Sequence, residues 1–445
     1  MTGIAARKEK GGNDAHADAP FWEALPLFGI PAGVGRRSMT SLPPGWRTGT
    51  LLDLVSNIVT GVSVNGEDRP RSNGEVGVLK ISCVLRGRFE PSHYKTVIAA
   101  DRGRVAAPVT GGTILVSRAN TADLVGASAY VPQSIPDLFL PDKLWQLTPR
   151  RNVDVLWLSQ IVADPAFRPK LAAAATGTSA SMKNISQDAF LSLPVAIPTF
   201  AEQRRIAAIL GTWDAAIEKA ERVLAAKTYR REHWHTALVL QFDGSAKPLH
   251  ELITPVQRPV PRPSKPYTAI GIRSHGKGTF HRHVSRPEQI DMDILFVVTA
   301  RDLIVNITFA WEGAIALAKP RDEGCLVSHR FPTFEINEDV VNRDYLGFTV
   351  NNARFFYALR GISPGSAGRN RVLNQKDFLR LSIPFPPKKQ QDRIAQVLTA
   401  ADKDIAATAD LIARLKTQKR GLMQKLLTGK IRVPEAVADL SPAAD

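Results

Sequence analysis

Few residues in this chain have the types and spacing that covalent chemistry needs. A phosphate-binding Walker loop requires Gly, four residues, then Gly-Lys-Ser/Thr. Here Gly429-Lys430 is followed by Ile431, and Gln424 stands where the first glycine belongs. A GxGxxG cofactor loop is missing, as is the Asn/Asp-Pro-Pro-aromatic motif of amino-methyltransferases. Pro141-Asp142 could open a nuclease carboxylate set, but no Glu-x-Lys follows at close range. His281 and His283 would share a face on a strand, yet a metal needs at least a third ligand. A solvated basic loop beginning with Arg273 and Lys277 is the better reading of that stretch. His233 and His235, two apart on a helix, fall on different sides. Cys83 and Cys325 are too few and too dispersed for a disulfide framework or a zinc site and read as reduced thiols. No serine or cysteine nucleophile constellation stands out. No catalytic residue and no metal site is therefore assigned, and the chain reads as a binding protein.

The chemistry that remains is electrostatic. Lys and Arg outnumber Asp and Glu by 58 to 42, for a net charge of +16, which makes an acidic polymer the default partner. Membrane surfaces come second, but no run approaches the roughly 20 apolar residues of a spanning helix, and residues 294–298 read as a strand. Two small-residue loops, 176–181 with Lys183-Asn184 and 365–368 with Arg369-Asn370-Arg371, combine backbone N–H groups with basic side chains. That combination suits phosphate oxygens, with a plain turn as the competing reading.

The elements that must position these groups are written twice. Phe190-Leu191, Leu193, Pro198, Gln203, Arg205-Ile206-Ala207, Leu210, Asp214 and Ile217 recur as Phe378-Leu379, Leu381, Pro386, Gln391, Arg393-Ile394-Ala395, Leu398, Asp402 and Ile405, always 188 positions apart. After each proline the apolar residues fall four then three apart, the seam of a helix that wants a partner. The first seam is Ile206, Leu210, Trp213, Ile217, Ala220 and Leu224, then the polar Lys227 and Arg231, then Trp234 and Leu238. The second is Ile394, Leu398, Ala401, Ile405, Thr408, Ile412 and Leu415, then Lys419, Leu422 and Leu426. Thr199 with Glu202 fits a capping box, Pro387 tolerates a first turn, and Gly244 and Gly429 stand where C-terminal caps belong. About 40 residues make a rod of roughly 60 Å.

A chain of 445 residues should hold more than one domain. Residues 1–41 are small and polar and read as a flexible leader, with Met39 as a candidate natural start and no secretory signal. Residues 42–198 carry short β-type runs at 78–81, 96–98, 113–116 and 129–131, then helical patches at 155–163 and 169–175. The spacer helix is expected at 199–244. Residues 245–386 repeat the order more loosely, with strands at 267–272, 295–298, 303–307 and 314–318 and a helix at 345–359. The second helix is expected at 387–429, and the tail 430–445 should fray. The fold class is mixed α/β (α+β): two diverged heads on a duplicated helical scaffold.

Two different heads, each followed by a near-identical helix opening Pro-x-x-x-(Glu/Gln)-Gln-x-Arg-Ile-Ala, resemble the specificity subunits of type I restriction-modification systems. The residues that carry the resemblance are Pro198 to Ala207, Pro386 to Ala395, "LPPGW" at 42–46 and "KLLTGKIRV" at 425–433. The resemblance implies that each head is a target recognition domain reading one half of a bipartite double-stranded DNA sequence. It implies antiparallel coiled-coil helices related by a pseudo-two-fold axis, which set the distance between half-sites and dock two modification subunits. Those partners would carry S-adenosylmethionine and methylate adenine, while restriction subunits would bring ATP, Mg and cleavage. This chain would hold no cofactor, act in the cytoplasm and supply specificity.

Given that implication, the DNA-contacting candidates are residues that join charge to a turn or a strand end. In the first head they are Lys80, Arg86, Arg88, Arg118, Asn120 and Lys183. In the second they are Arg273, Lys277 and Arg282, placed in a glycine-containing loop, with Asn306, His329, Arg330, Arg369 and Arg371. Arg suits guanine and Asn suits adenine, whereas Lys more often holds phosphate. Solvated surface charge competes for any single one. Arg204, Arg205, Lys388 and Arg393 on the helices are assigned to partner docking or solubility. A coiled-coil adaptor that binds proteins, separable by salt-sensitive DNA binding, and a self-contained restriction-modification enzyme are the competing functions.

Overall fold

The computed structural model describes residues 42–85, 87–179, 182–242, 244–365 and 371–434. The leader with Met39, Arg86 and Arg369 lie outside the described residues. The chain divides into two units: the described parts of Met1–Ala208 and Met423–Asp445 form the first, and Ile209–Leu422 forms the second.

In the first unit a four-stranded antiparallel sheet runs in the order Val55–Thr60, Leu144–Pro149, Thr113–Ser117, Ser128–Val131. Every residue of Thr113–Ser117 is buried, as a short, nearly continuous apolar run requires of a central strand. Helix α1 (Val155–Ala163) packs against it through Trp157, Leu158 and Ile161. Leu115, Ala129 and Leu144 join Leu79, Cys83 and Leu138 in a second buried cluster. A five-stranded sheet follows the order Gly66–Glu67, Tyr94–Val97, Gly77–Leu79, Ile135–Phe139, Pro108–Val109. Helix α2 (Arg168–Ala174) leads into a three-stranded sheet of Thr176–Ser179, Met182–Asn184 and Ala119–Asn120, and α3 (Gln187–Leu191) comes next. Strand Pro194–Ile197, paired with Arg47–Thr50, then feeds α4 (Phe200–His235).

The second unit repeats this plan. Its four-stranded sheet, Ile253–Val256, Thr333–Ile336, Asp302–Val305, Ile315–Leu317, has the same first-last-second-third order. Its five-stranded sheet runs Pro259–Pro261, Ile294–Val297, Leu326–Val327, Tyr267–Ile272, Thr279–Val284. Helices α5 (Arg343–Val350), α6 (Ala353–Gly361) and α7 (Gln375–Arg380) follow. Strand Ser382–Pro384, paired with Ala246–Pro248, leads into α8 (Lys388–Leu427).

The repeat is kept bond for bond where each head meets its helix. Gln203 Oε1 accepts from Asp154 N at 2.9 Å and its Nε2 donates to Pro198 O at 3.1 Å. Gln391 does the same with Asn342 N at 2.8 Å and Pro386 O at 2.8 Å. Asp154 and Asn342 in turn cap α1 and α5. Each glutamine thus satisfies buried backbone groups that would otherwise go unpaired. Phe190 and Phe378, also equivalent, sit fully buried against Trp145 at 5.5 Å and Phe334 at 5.3 Å between ring centroids.

The two long helices face each other within the second unit. Asp214 pairs with Lys419, Glu221 with Lys416, Lys227 with Asp404 and Arg231 with Asp402, so rising numbers on α4 meet falling numbers on α8 and the pairing is antiparallel. Ile206, Leu210, Trp213, Ile217, Ile394, Leu398 and Ile412 are buried, whereas Leu224, Ile405 and Leu415 are half-buried.

Five local expectations need correction. The helix expected over 345–359 is two helices, because Asn352 turns extended and its side chain caps α6 by accepting from Phe355 N at 2.9 Å. Helix α4 ends at His235 and widens into a π turn, Thr236–Leu240. That wider turn brings three consecutive residues, Leu238, Val239 and Leu240, onto one core cluster. Gly244 is consequently no left-handed cap, whereas Gly429 is, with φ at 71°. The capping box is half-made: Thr199 Oγ1 accepts from Glu202 N at 3.4 Å, but the Glu202 carboxylate turns to Trp46 and Arg432. The tail accordingly is bound as far as Val433, which is buried.

Candidate nucleic-acid interface

The basic candidates gather at two places in each head, and backbone hydrogen bonds show the places to be equivalent. The first is the end of a hairpin in the five-stranded sheet. Lys80 N donates to His93 O at 2.9 Å and closes the hairpin of Gly77–Leu79 and Tyr94–Val97. Arg273 N donates to Gly278 O at 3.0 Å and closes that of Tyr267–Ile272 and Thr279–Val284. Lys80 and Arg273 therefore hold the same position. The first loop is long, anchored by Cys83 and Val84 in the buried cluster, and exposes Arg88. The second is tight, with His275, Gly276 and Gly278 at φ of 60°, 64° and 78° and Lys277 exposed between the glycines.

The charges differ in how they are held. Lys80 is ion-paired to Asp68. Arg273 donates to Thr279 O at 3.2 Å and lies 5.1 Å over the Phe280 ring, an arrangement that keeps the guanidinium flat and presented. Arg282 and His281 are not in the loop, as the sequence suggested, but on the strand Thr279–Val284, because the glycines confine the turn to four residues or so. Strand alternation puts Arg282 on the face of Phe280 and His281 on that of Thr279. His281 Nε2 and Thr279 Oγ1 both bond Asp322, at 2.8 and 2.9 Å. Burial would raise the Asp322 pKa, but the Lys319 N–H, His281 and Thr279 outweigh it and hold the carboxyl below the usual carboxylate range. His235 faces Phe348 O at 3.0 Å.

The second place is the strand end just before α3 or α7. Ile185 N donates to Arg118 O and Leu373 N to Ile307 O, both at 2.9 Å. Arg118 N donates to Lys143 O and Ile307 N to Arg330 O, both at 3.0 Å. Through this framework Asn120 faces Lys183 in register, and the Lys183 ammonium donates to Gly177 O at 2.6 Å. The Asn120 amide is engaged locally, accepting from Thr121 N at 2.9 Å. Arg118 keeps its buried Nε without a hydrogen-bond partner. In the second head Arg371, the counterpart of Lys183, stacks 5.4 Å over Trp311. Arg330 is exposed and donates to Thr308 Oγ1 at 3.2 Å, with His329 exposed beside it. Asn306 is 8% exposed, and its Oδ1 accepts from Thr308 N at 3.1 Å, so its side chain shapes the turn.

In the second head the two places are one surface. His275 N donates to Glu312 O at 2.7 Å, Gly276 N to Gly313 O at 3.0 Å, and Ser274 Oγ to Glu312 Oε2 at 2.6 Å. The loop of Arg273 and Lys277 is thereby fastened to the turn that carries Trp311, on which Arg371 stacks. Sequence reasoning missed Trp311 and Lys143. Lys143 could have been found, since it lies within one position of the repeat offset from Arg330, whereas Trp311 has no sequence signal apart from the stacking it makes. Among the described residues no group of three or more His, Cys, Asp and Glu could hold a metal ion, and no helix is long and apolar enough to cross a membrane. The surface can bind anions and stack planar rings.

Two heads of one topology, each leading into one of two long helices that pair antiparallel, define a duplicated two-head, two-helix protein. The chain belongs to the family described as the type I restriction modification DNA specificity domain, whose model matches residues 43–225 and 265–417. It is 28% identical over 167 residues to the type I restriction enzyme EcoEI specificity subunit of Escherichia coli, a match covering 37% of this chain but only 28% of that protein's length. Its fold is similar to the crystal structure of a type I restriction-modification S subunit from M. genitalium, with a TM-score of 0.54 at 13% identity over 90% of this chain and 98% of that one. It is also similar to a chain from a study of complex assembly and conformational transition of the type I R-M system, with a TM-score of 0.52 at 17% identity over 88% and 100% of the two chains.

Proposed function

We propose that this chain is the specificity subunit of a type I restriction-modification complex and that each head reads one half of a bipartite DNA target. The observation that carries this reading is positional: heads that have diverged in sequence keep cations at the same two framework sites, Lys80 with Arg273 and Lys183 with Arg371. Lysines at turn ends hold phosphate, and an arginine kept flat over an aromatic ring can reach a base edge. Residues 42–198 and 245–386 are the two target recognition domains in this proposal. The paired helices set the gap between half-sites, because linked binding gains affinity only when both sites fit the span.

The chain contributes specificity, and methylation and cleavage belong to partners. Two modification subunits dock on the outward faces of α4 and α8, where Arg204, Lys388 and Arg393 lie, and restriction subunits join them. The complex acts in the cytoplasm, where genomic and invading DNA are met. Mapping methylated adenines in cells that express the full system tests the bipartite reading. One bipartite motif, lost when this chain is deleted, is expected; a contiguous motif, or one that survives the deletion, would refute the reading.

A further inference from the structure

The seam between α4 and α8 is interrupted where a stable helix pair would be apolar. Lys227 Nζ donates to Asp404 Oδ1 at 2.7 Å and to Thr408 Oγ1 at 3.0 Å, and Arg231 makes two bonds to Asp402, at 2.7 and 3.2 Å. These cations are largely covered, 24% and 23% exposed, and Thr408 is 8% exposed. Lys419, 17% exposed, reaches Asp214 at 2.6 Å, and Lys416 reaches Glu221 at 2.7 Å. The internal repeat carries Asp214–Lys419 onto Asp402–Arg231, so an acid near the start and a base near the end of each helix meet twice.

We propose that these polar contacts are a register lock and that they, rather than helix length alone, give the chain a single tolerated gap between half-sites. The inference rests on the proposed DNA reading and deepens it. Singly, exposed ion pairs are weak, but a slip of one heptad breaks all four together. It would set Lys227 against residues 411–415 or 397–401, which include Leu411, Leu415 and Val397, in place of Asp404 and Thr408. Asp214 would meet Leu426 or Ile412, and Arg231 an alanine at 409 or 395. Each slipped register therefore leaves covered charges facing apolar side chains, the device by which one polar seam position fixes register in coiled coils at a cost in stability.

The test uses the full chain co-expressed with its modification subunits, read out as the gap distribution in the map of methylated adenines. Lys227→Leu with Thr408→Leu, and separately Asp214→Lys, are expected to raise methylation at gaps shorter or longer than the wild-type one by roughly tenfold. The exchange Asp214→Lys with Lys419→Asp should restore the single gap. A distribution unchanged in both variants, or a loss of all methylation that the charge exchange does not rescue, overturns the lock. If the wild-type chain gave no bipartite motif, it is the DNA reading that would fail instead.

Discussion

Arg432 grips Glu202 through two hydrogen bonds, Nη2 to Oε2 at 2.7 Å and Nε to Oε1 at 3.0 Å. The glutamate side chain is 1% exposed and also accepts from Trp46 Nε1 at 2.9 Å. A segment from the end of the chain thus neutralises a carboxylate buried at the start of α4, beside the first residues of the first head.

Removing that partner strands a buried charge. Arg432→Ala should destabilise the first unit by about 2 kcal/mol, less than a fully enclosed pair would lose because Arg432 is 45% exposed and Trp46 remains. Glu202→Gln together with Arg432→Met, which removes both charges, should cost less. Urea unfolding midpoints of the purified chain decide between these orders, and truncation after Gly429, which also removes the buried Val433, should cost more than Arg432→Ala.

Gln203 and Gln391 make matching bonds, so their loss should be matched. Gln203→Leu and Gln391→Leu each leave a partly buried N–H and a buried carbonyl without a partner, for about 2 kcal/mol apiece. Thermal unfolding should show similar penalties for the two; a large effect in one head and none in the other would mean that the repeat is geometric without being energetic.

If Lys183 and Arg371 hold DNA, the salt response will say how. Lys183→Ala is expected to weaken binding of the reconstituted complex uniformly across sequences and to lower the slope of log affinity against log salt by about one. Arg273→Ala should instead relax the base preference at one position of the second half-site. Fluorescence anisotropy on target and scrambled duplexes separates the two behaviours.

Acid should act in part through Glu75. Its hydrogen bonds from Arg69, and then the Ser72 N–H, lower its pKa from 4.5 to about 2. A folded-state pKa below the unfolded one gives stability that is present above about pH 4.5 and fades as pH falls toward 2. Glu75→Gln should remove only the Glu75 share of the loss between about pH 4.5 and about 2, leaving that of the likewise depressed Asp322 and Asp101, as urea midpoints against pH would reveal.

Much of the scaffold could be read in the chain itself, because the evidence for it is local or periodic. The 188-residue offset and the four-three spacing need no tertiary information to be seen. The heads were harder. Their opening strands, Arg47–Thr50 and Ala246–Pro248, are equivalent in pairing, yet Leu51 and Leu249, which donate to Leu193 O and Leu381 O, stand 198 apart and so escape the 188-residue search. Arg282 reads as a loop residue in the sequence but lies on a strand, because the sequence does not show how tightly His275 to Gly278 turn.

Two copies of a helix-bearing module, the place where each helix begins and the excess of basic over acidic residues are all legible along the chain, since repetition, periodicity and charge are properties of residue order. That Lys80 answers to Arg273, that Arg371 stacks on Trp311 and that Arg432 closes on Glu202 emerges from the folded chain alone. Those relationships join residues far apart in sequence through backbone register and buried charge, and a hydrogen bond that spans 230 positions leaves no periodic trace.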